Sequence, residues 1–250
     1  MRDTLARSPL FRGLPAGALD AVAAATTPFT MGPGTVLWDQ GDPPRDLVVV
    51  QSGLVYEFQP GPRGRRSILQ VVGPPHAVGA VAVFDRLPHV ASAETVTETV
   101  VLAIHAEPVV ALAAASTVLA RNVVAAFTGY VHALAERRAD LAALDLPRRT
   151  AKVLLRLAEP ADQPSADPPT VAARVDAIAH LAGGKWRSVD AVIARLAKRG
   201  WLAVGPGGIR LLDVPALTRY AGGGVSGRSA RSGPAAATAR VRSPAGRPPG

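Results

Sequence analysis

Between residues 32 and 105 the chain is a succession of short apolar, often β-branched runs: "TVLWD", "DLVVVQ", "LVYEF", "SILQVV", "ETVTE" and "VVLAIH". Turn-forming pieces such as "QGDPP", "SG", "QPGPRG" and "VGPP" cut them apart. Each run is too short for an ordinary helix. Valine, isoleucine and threonine suit a pleated, half-buried backbone. Many short strands at close spacing predict an antiparallel sandwich or barrel. Before it, "SPLFRGLPAGALD" reads as short helical turns that bury Leu10, Phe11, Leu14 and Leu19.

After residue 106 the periodicity changes. The stretch 107–144 reads as one continuous helix, in which Phe127, Tyr130, Leu134, Arg137, Leu141 and Leu144 recur at alternating steps of three and four. That spacing makes a seam for a second helix, and a helix this long points to the same helix of a second copy. A single core helix of one chain is the alternative, and Arg137 within the seam weighs toward it. The run 109–135 is long enough to span a bilayer, but Arg121, Asn122 and His132 interrupt it. A water-soluble helix buried against a partner fits better. Pro147 disfavours helix at Leu146 and ends this segment.

The chain has 250 residues, no cysteine and five scattered histidines (76, 89, 105, 132 and 180). Disulfides, thiolate metal sites and a cysteine nucleophile are thereby excluded, and no histidine pair has ligand spacing. The formal charge is +9, and five arginines beyond Gly222 supply more than half of it. That Gly/Ser/Pro/Ala/Arg segment is expected to be disordered. A basic excess suits nucleic acid or another anionic surface without choosing between them. The early charges Arg2, Asp3 and Arg7 argue against a targeting leader, so a cytoplasmic protein is expected.

Beyond Pro147 a helix over "RRTAKVLLRLAE" is expected, then a proline-rich loop, "PADQPSADPP", and then a helical pair. Val175, Ile178, Leu181 and Ala182 form the apolar face of its first helix. "GG" at 183–184 breaks the pattern, since glycine tolerates the left-handed conformation of a tight turn. The second helix carries Val189, Val192, Ile193 and Leu196 on one stripe. Arg187, Ala191, Ala194 and Lys198 point away from it, with Ser188 and Arg195 on one flank and Asp190 on the other. Two short helices around a glycine turn match a helix-turn-helix, whose second helix enters the major groove. "LAVGPGGIRLLD" then reads as a hairpin, the wing of a winged helix.

The stretch "IAHLAGGKWRSVDAVIARLAKRGWL" resembles, without a gap, the helix-turn-helix of the cyclic-AMP-receptor/Fnr (Crp–Fnr) family of bacterial transcription factors. "PLFRGLPAGALDAVA", "GTVLWDQGD" and "LVVVQSGLVYEF" resemble that family's cyclic-nucleotide-binding β-roll. The resemblance covers about residues 8 to 215. It implies an α+β fold with a sensor β-roll (8–106), a dimerisation helix (107–144, with Phe127, Tyr130, Leu134 and Leu141), a Crp-type winged helix-turn-helix (145–215) and a basic tail (222–250). It also implies a homodimer on a palindromic DNA site, RNA polymerase as a further partner, no resident cofactor or metal, and no enzyme activity. The expected DNA-binding residues are Lys185, Trp186, Arg187, Ser188 and Arg195. Arg187 is suited to guanine, Lys185, Ser188 and Arg195 to phosphates, and Trp186 either packs on the turn or meets a thymine methyl.

The family's phosphate cassette reads roughly Gly-Glu-x-Ala-x-x-x-x-x-Pro-Arg-x-Ala, and here the stretch 79–91 is "GAVAVFDRLPHVA". Gly79, Ala82, Pro88 and Ala91 stand in register, so the cassette's fold is expected to survive. Ala80 stands at the Glu position and His89 at the Arg position, with Val90 beside it. A phosphate site without its guanidinium loses a bidentate charge pair, and a neutral imidazole cannot replace the fork. Tight cyclic AMP binding is therefore expected to be lost, leaving the effector unidentified. Arg86 is too far out of register to substitute. At the family's base-reading positions stand Trp186, Arg187 and Ala191, so its usual half-site is not expected either. A small-molecule enzyme on a β-barrel would need clustered histidines and a carboxylate, and His76, His89 and His105 are not so arranged. The remaining rival is a ligand- or partner-sensing module that no longer binds DNA specifically.

Overall fold

The computed structural model describes residues 1–61, 66–158 and 168–222. Most of the proline-rich loop and the basic tail beyond Gly222 lie outside them.

Two short helices, α1 (Arg2–Arg7) and α2 (Ala16–Ala24), lead into eight strands. These are β1 (Thr26–Met31), β2 (Val36–Trp38), β3 (Asp46–Ser52), β4 (Val55–Pro60), β5 (Arg66–Val72), β6 (Ala77–Val78), β7 (Ser92–Thr95) and β8 (Thr99–His105), with helix α3 (Ala80–Asp85) between β6 and β7. They form two four-stranded antiparallel sheets, in the orders β1-β8-β3-β6 and β2-β7-β4-β5. The run "LVVV" in β3 is buried on both faces. Leu47 and Val49 pack with Leu5, Leu19, Val109 and Leu119 of the surrounding helices. Val48 and Val50 instead meet Val55, Val72, Ala93 and Val101 between the sheets. A strand covered on both sides has no need of polar alternation.

The expected strands are present, with "ETVTE" contributing only its first two residues to β7 before a turn. β1 was not apparent in the sequence, because Pro28 interrupts it. It pairs only with β8, and an edge strand tolerates a missing N–H.

The single helix expected over 107–144 is two helices, α4 (Ala106–Ala115) and α5 (Thr117–Ala143). Ser116 between them is extended (φ −119°, ψ 107°), and its hydroxyl accepts the Leu119 N–H at 3.3 Å. Serine competes for local backbone hydrogen bonds, which favours caps over helix interiors. α5 is long and apolar enough to cross a membrane by length and composition. It is tied to the sheets' outer helices: Asn122 donates to the carbonyls of Leu10 and Arg12, and Phe127 meets Phe84 edge-on at 6.5 Å.

α5 stops at Ala143, with Leu144 extended, as the proline signal predicts. Leu146, however, already belongs to the next helix, α6 (Leu146–Ala158), whose first turn Pro147 occupies. A proline there removes an N–H that has no helical acceptor in any case. The remaining elements are β9 (Thr170–Val171), α7 (Val175–Ala182), α8 (Trp186–Lys198), β10 (Leu202–Gly205), β11 (Gly208–Leu211) and α9 (Val214–Tyr220). Three-stranded β10-β11-β9 and the four helices share one core, which includes Leu154, Ile178, Val189, Leu196, Leu202 and Leu217.

Candidate nucleic-acid interface and effector cassette

α7 ends where Gly183 turns left-handed (φ 67°). The turn is closed by hydrogen bonds from Gly183 N–H to His180 O (3.1 Å) and from Gly184 N–H to Ala179 O (2.9 Å). α8 then sets Val189, Val192, Ile193 and Leu196 into the core. The residues between them, Lys185, Arg187, Ser188, Ala191, Ala194, Arg195 and Lys198, are exposed. Among the described residues none of these four cations is paired with a carboxylate. Trp186 does not bury itself in the turn. It is 56% exposed, lines a shallow hollow with Arg174, Val175 and Asp176, and lies 5.5 Å from the Arg187 guanidinium.

Sequence reasoning gave no sign of how this unit is held. The Arg149 guanidinium donates to Ala182 O (2.7 Å) and to Leu144 O (2.5 Å), bridging the turn to the end of α5. Arg137 donates to His180 O at 2.7 Å and to Leu69 O at 3.5 Å. Lys152 meets Asp140 at 2.6 Å, largely shielded from solvent. A Cβ on Gly183 would collide with Leu141, and one on Gly184 would come within 2.5 Å of Leu146. Along α7, Ala177 and Leu181 pack on Tyr56, Phe58 and Ile68 of β4 and β5, and at its start Tyr56 accepts the Arg174 N–H at 3.2 Å.

These contacts also locate the expected dimer seam. Phe127, Tyr130 and Arg137 are half-buried against the chain's own β-strands and helices, while Leu134 and Leu141 are exposed. Val124 and Val131, one heptad apart, are the other exposed large apolar residues on α5.

The cassette keeps its backbone. Gly79 is left-handed (φ 75°) before α3, and Arg86 after it takes the same conformation (φ 58°). Arg86 points to an exposed partner, Glu107, at 3.5 Å. His89 is buried and stacks on Trp38, with ring centroids 4.2 Å apart and planes 15° apart. The Trp38 indole donates to Ala91 O at 3.1 Å. The two rings leave no room at Gly79, where a Cβ would lie 2.9 Å from Trp38 and 3.0 Å from His89. Ala80 is half-buried, whereas Pro88 and Val90 face solvent. Burial holds His89 below its ordinary pKa, against the opposing pull of Asp42 and Asp85, so the ring is neutral.

The sequence reading also passed over Glu57. Its carboxyl group accepts the Gly79 N–H at 3.1 Å and the Gln70 side-chain amide. Burial raises its pKa, and the two hydrogen bonds oppose that rise. Tyr130 of α5 is raised as well, first by burial and then by the nearby Glu57 charge. Among the described residues no group of histidines and carboxylates is placed to hold a metal ion.

The cyclic nucleotide-binding domain family matches residues 29–116. A CRP-like cAMP-activated global transcriptional regulator of Mycobacterium tuberculosis is 27% identical over 223 residues, covering 88% of this chain and all of that one. The cyclic AMP receptor protein of Thermus thermophilus is 29% identical over 217 residues, covering 86% of this chain and 98% of that one. Over most of its length the chain is similar to CRP/FNR-family transcriptional regulators. A solved CRP/FNR regulator of Thermus thermophilus superposes with a TM-score of 0.62 at 25% identity, over 78% of this chain and 98% of that one. The chain is thus a CRP-like DNA-binding transcriptional regulator and not an enzyme. Family members bind DNA as dimers.

Proposed function

We propose that this regulator binds a palindromic operator as a homodimer, with α8 in the major groove, and that it does so without cyclic AMP. The observation that carries the reading is the exposed face of α8, which holds unpaired Lys185, Arg187, Arg195 and Lys198 above a fully packed stripe. Arg187, in the first turn, is placed to fork onto guanine O6 and N7. Lys185, Ser188 and Arg195 flank it at positions suited to backbone phosphates. Trp186, exposed beside Arg187, fits an apolar contact with a thymine methyl better than a role in the turn.

The dimer reading rests on α5. Its exposed Val124, Val131, Leu134 and Leu141 offer a seam to a second copy, rotated from the one suggested by sequence spacing. In that arrangement residues 8–106 sense, 107–144 dimerise and 145–215 bind DNA. RNA polymerase is the expected further partner and the cytoplasm the expected location. The M. tuberculosis relative is named for activation by cyclic AMP. Here Ala80 and His89 replace the two side chains that would hold ribose and phosphate, and Trp38 stacks across the site.

Selection of genomic fragments by the purified protein tests this directly. The expected product is a two-fold symmetric motif with half-sites about one helical turn apart, recovered equally well with and without cyclic AMP. Fragments bound with no common motif at moderate salt would mark a partner-binding module instead.

A further inference from the structure

We propose that the buried carboxyl group of Glu57, which accepts the Gly79 N–H at the entry to the cassette, keeps an acid against the cassette and disfavours the binding of cyclic phosphates there. The inference rests on reading residues 79–91 as the nucleotide cassette and deepens that reading. Glu57 lies on β4, one strand of the sheet that faces the cassette, and reaches across 22 residues of chain to Gly79. It is bonded at both oxygens, one to the Gly79 N–H at 3.1 Å and the other to the Gln70 amide. A cyclic phosphate bound at the first turn of α3, one residue beyond Gly79, would lie close to this buried carboxyl group. Like charges in a desolvated site disfavour each other. Nothing in the cassette offsets this, because His89 is neutral and stacked on Trp38 while Arg86 pairs outward with Glu107.

His89 stands at the cassette's arginine position, so the missing guanidinium alone is one explanation for a loss of binding. Glu57 sets a different expectation, namely that restoring the arginine alone fails. Calorimetric titration of the full chain with cyclic AMP and cyclic GMP separates the two. Wild type and His89→Arg are expected to show no binding up to the highest nucleotide concentration titrated, while Glu57→Ala/His89→Arg binds at least about tenfold more tightly than that limit. Micromolar binding by the wild type, or by His89→Arg alone, overturns the proposal. So does a folded double variant that binds no better than His89→Arg.

Amide hydrogen exchange at Gly79 needs no variant beyond Glu57→Ala. Slow exchange in the nucleotide-free wild type, faster by at least about tenfold in the variant, supports an internal partner. Exchange at the unprotected rate in the wild type overturns it. Operator binding is read separately on selected fragments. Its absence counts against the proposed operator, whereas nucleotide binding counts against Glu57.

Discussion

Gly79 and Gly183 are both left-handed, both stand at a helix end, and both are approached so closely that a side chain would collide. What crowds them differs. At Gly79 the neighbours are Trp38 and His89, which a Cβ would meet, and Glu57, which accepts the glycine N–H. At Gly183 the neighbour is Leu141, behind the turn, so the outer face of α8 stays open to solvent. The same backbone device is hemmed in by two rings and a carboxyl group in one half, and leaves an exposed helix face beyond it in the other. A family's scaffold and its chemistry can therefore part company. The side on which packing falls decides whether a site still meets a ligand.

The comparison can be broken most forcefully at the floor of α8. Leu196 is fully buried, so Leu196→Ala is expected to cost about 2–5 kcal/mol of stability, seen as a lower thermal midpoint for the C-terminal half. If the N-terminal half melts equally early, the contacts of α7 with β4 and β5 couple the two halves into one cooperative unit. Arg187→Ala should next cost about 1–3 kcal/mol of operator affinity and relax selectivity at one base pair, with folding unchanged. Binding by anisotropy to single-base operator variants reads both effects.

Gly183→Ala meets left-handed strain and Leu141 together, for about 1–3 kcal/mol. It is expected to weaken DNA binding, whereas Gly79→Ala, equally strained, is expected to spare it. Equal losses of affinity in both variants would show the cassette still controls the DNA-binding unit. Lys185→Ala should lower affinity evenly across sequences and reduce the salt dependence by about one phosphate contact.

The smallest effect is a pH one. Folding favours neutral His89, because burial lowers its pKa. Its stabilising contribution is present above its unfolded pKa of about 6.5 and is lost as pH falls below that value. His89→Asn is expected to lack this acid-side loss in a comparison of denaturant midpoints at two pH values.

Much of the fold was legible because its signals are local. The apolar run of β3 and the stripe of α8 each announce an element from neighbours a few residues apart. The break at Ser116 was not, since apolar residues continue on both sides and only the serine's hydrogen bond to Leu119 interrupts them. The seam on α5 was half-legible. Spacing gives a face, but it cannot say whether that face meets a second chain or this one. Phe127 turns to Phe84, and Arg137 to carbonyls of Leu69 and His180. The substitutions at Ala80 and His89 could be read in the cassette itself. Glu57 could not, because its meaning comes from a strand that passes opposite Gly79.

The contact between Leu141 and Gly183 carries a consequence for how such a regulator could change its targets. Leu141, in the last turn of α5, lies against the turn that leads into α8, with its other side open to solvent. If the proposed dimer forms, trimming or enlarging that one side chain is expected to shift α8 in both copies alike. A lineage could thereby drift to a different spacing between half-sites while every base-reading residue stayed the same.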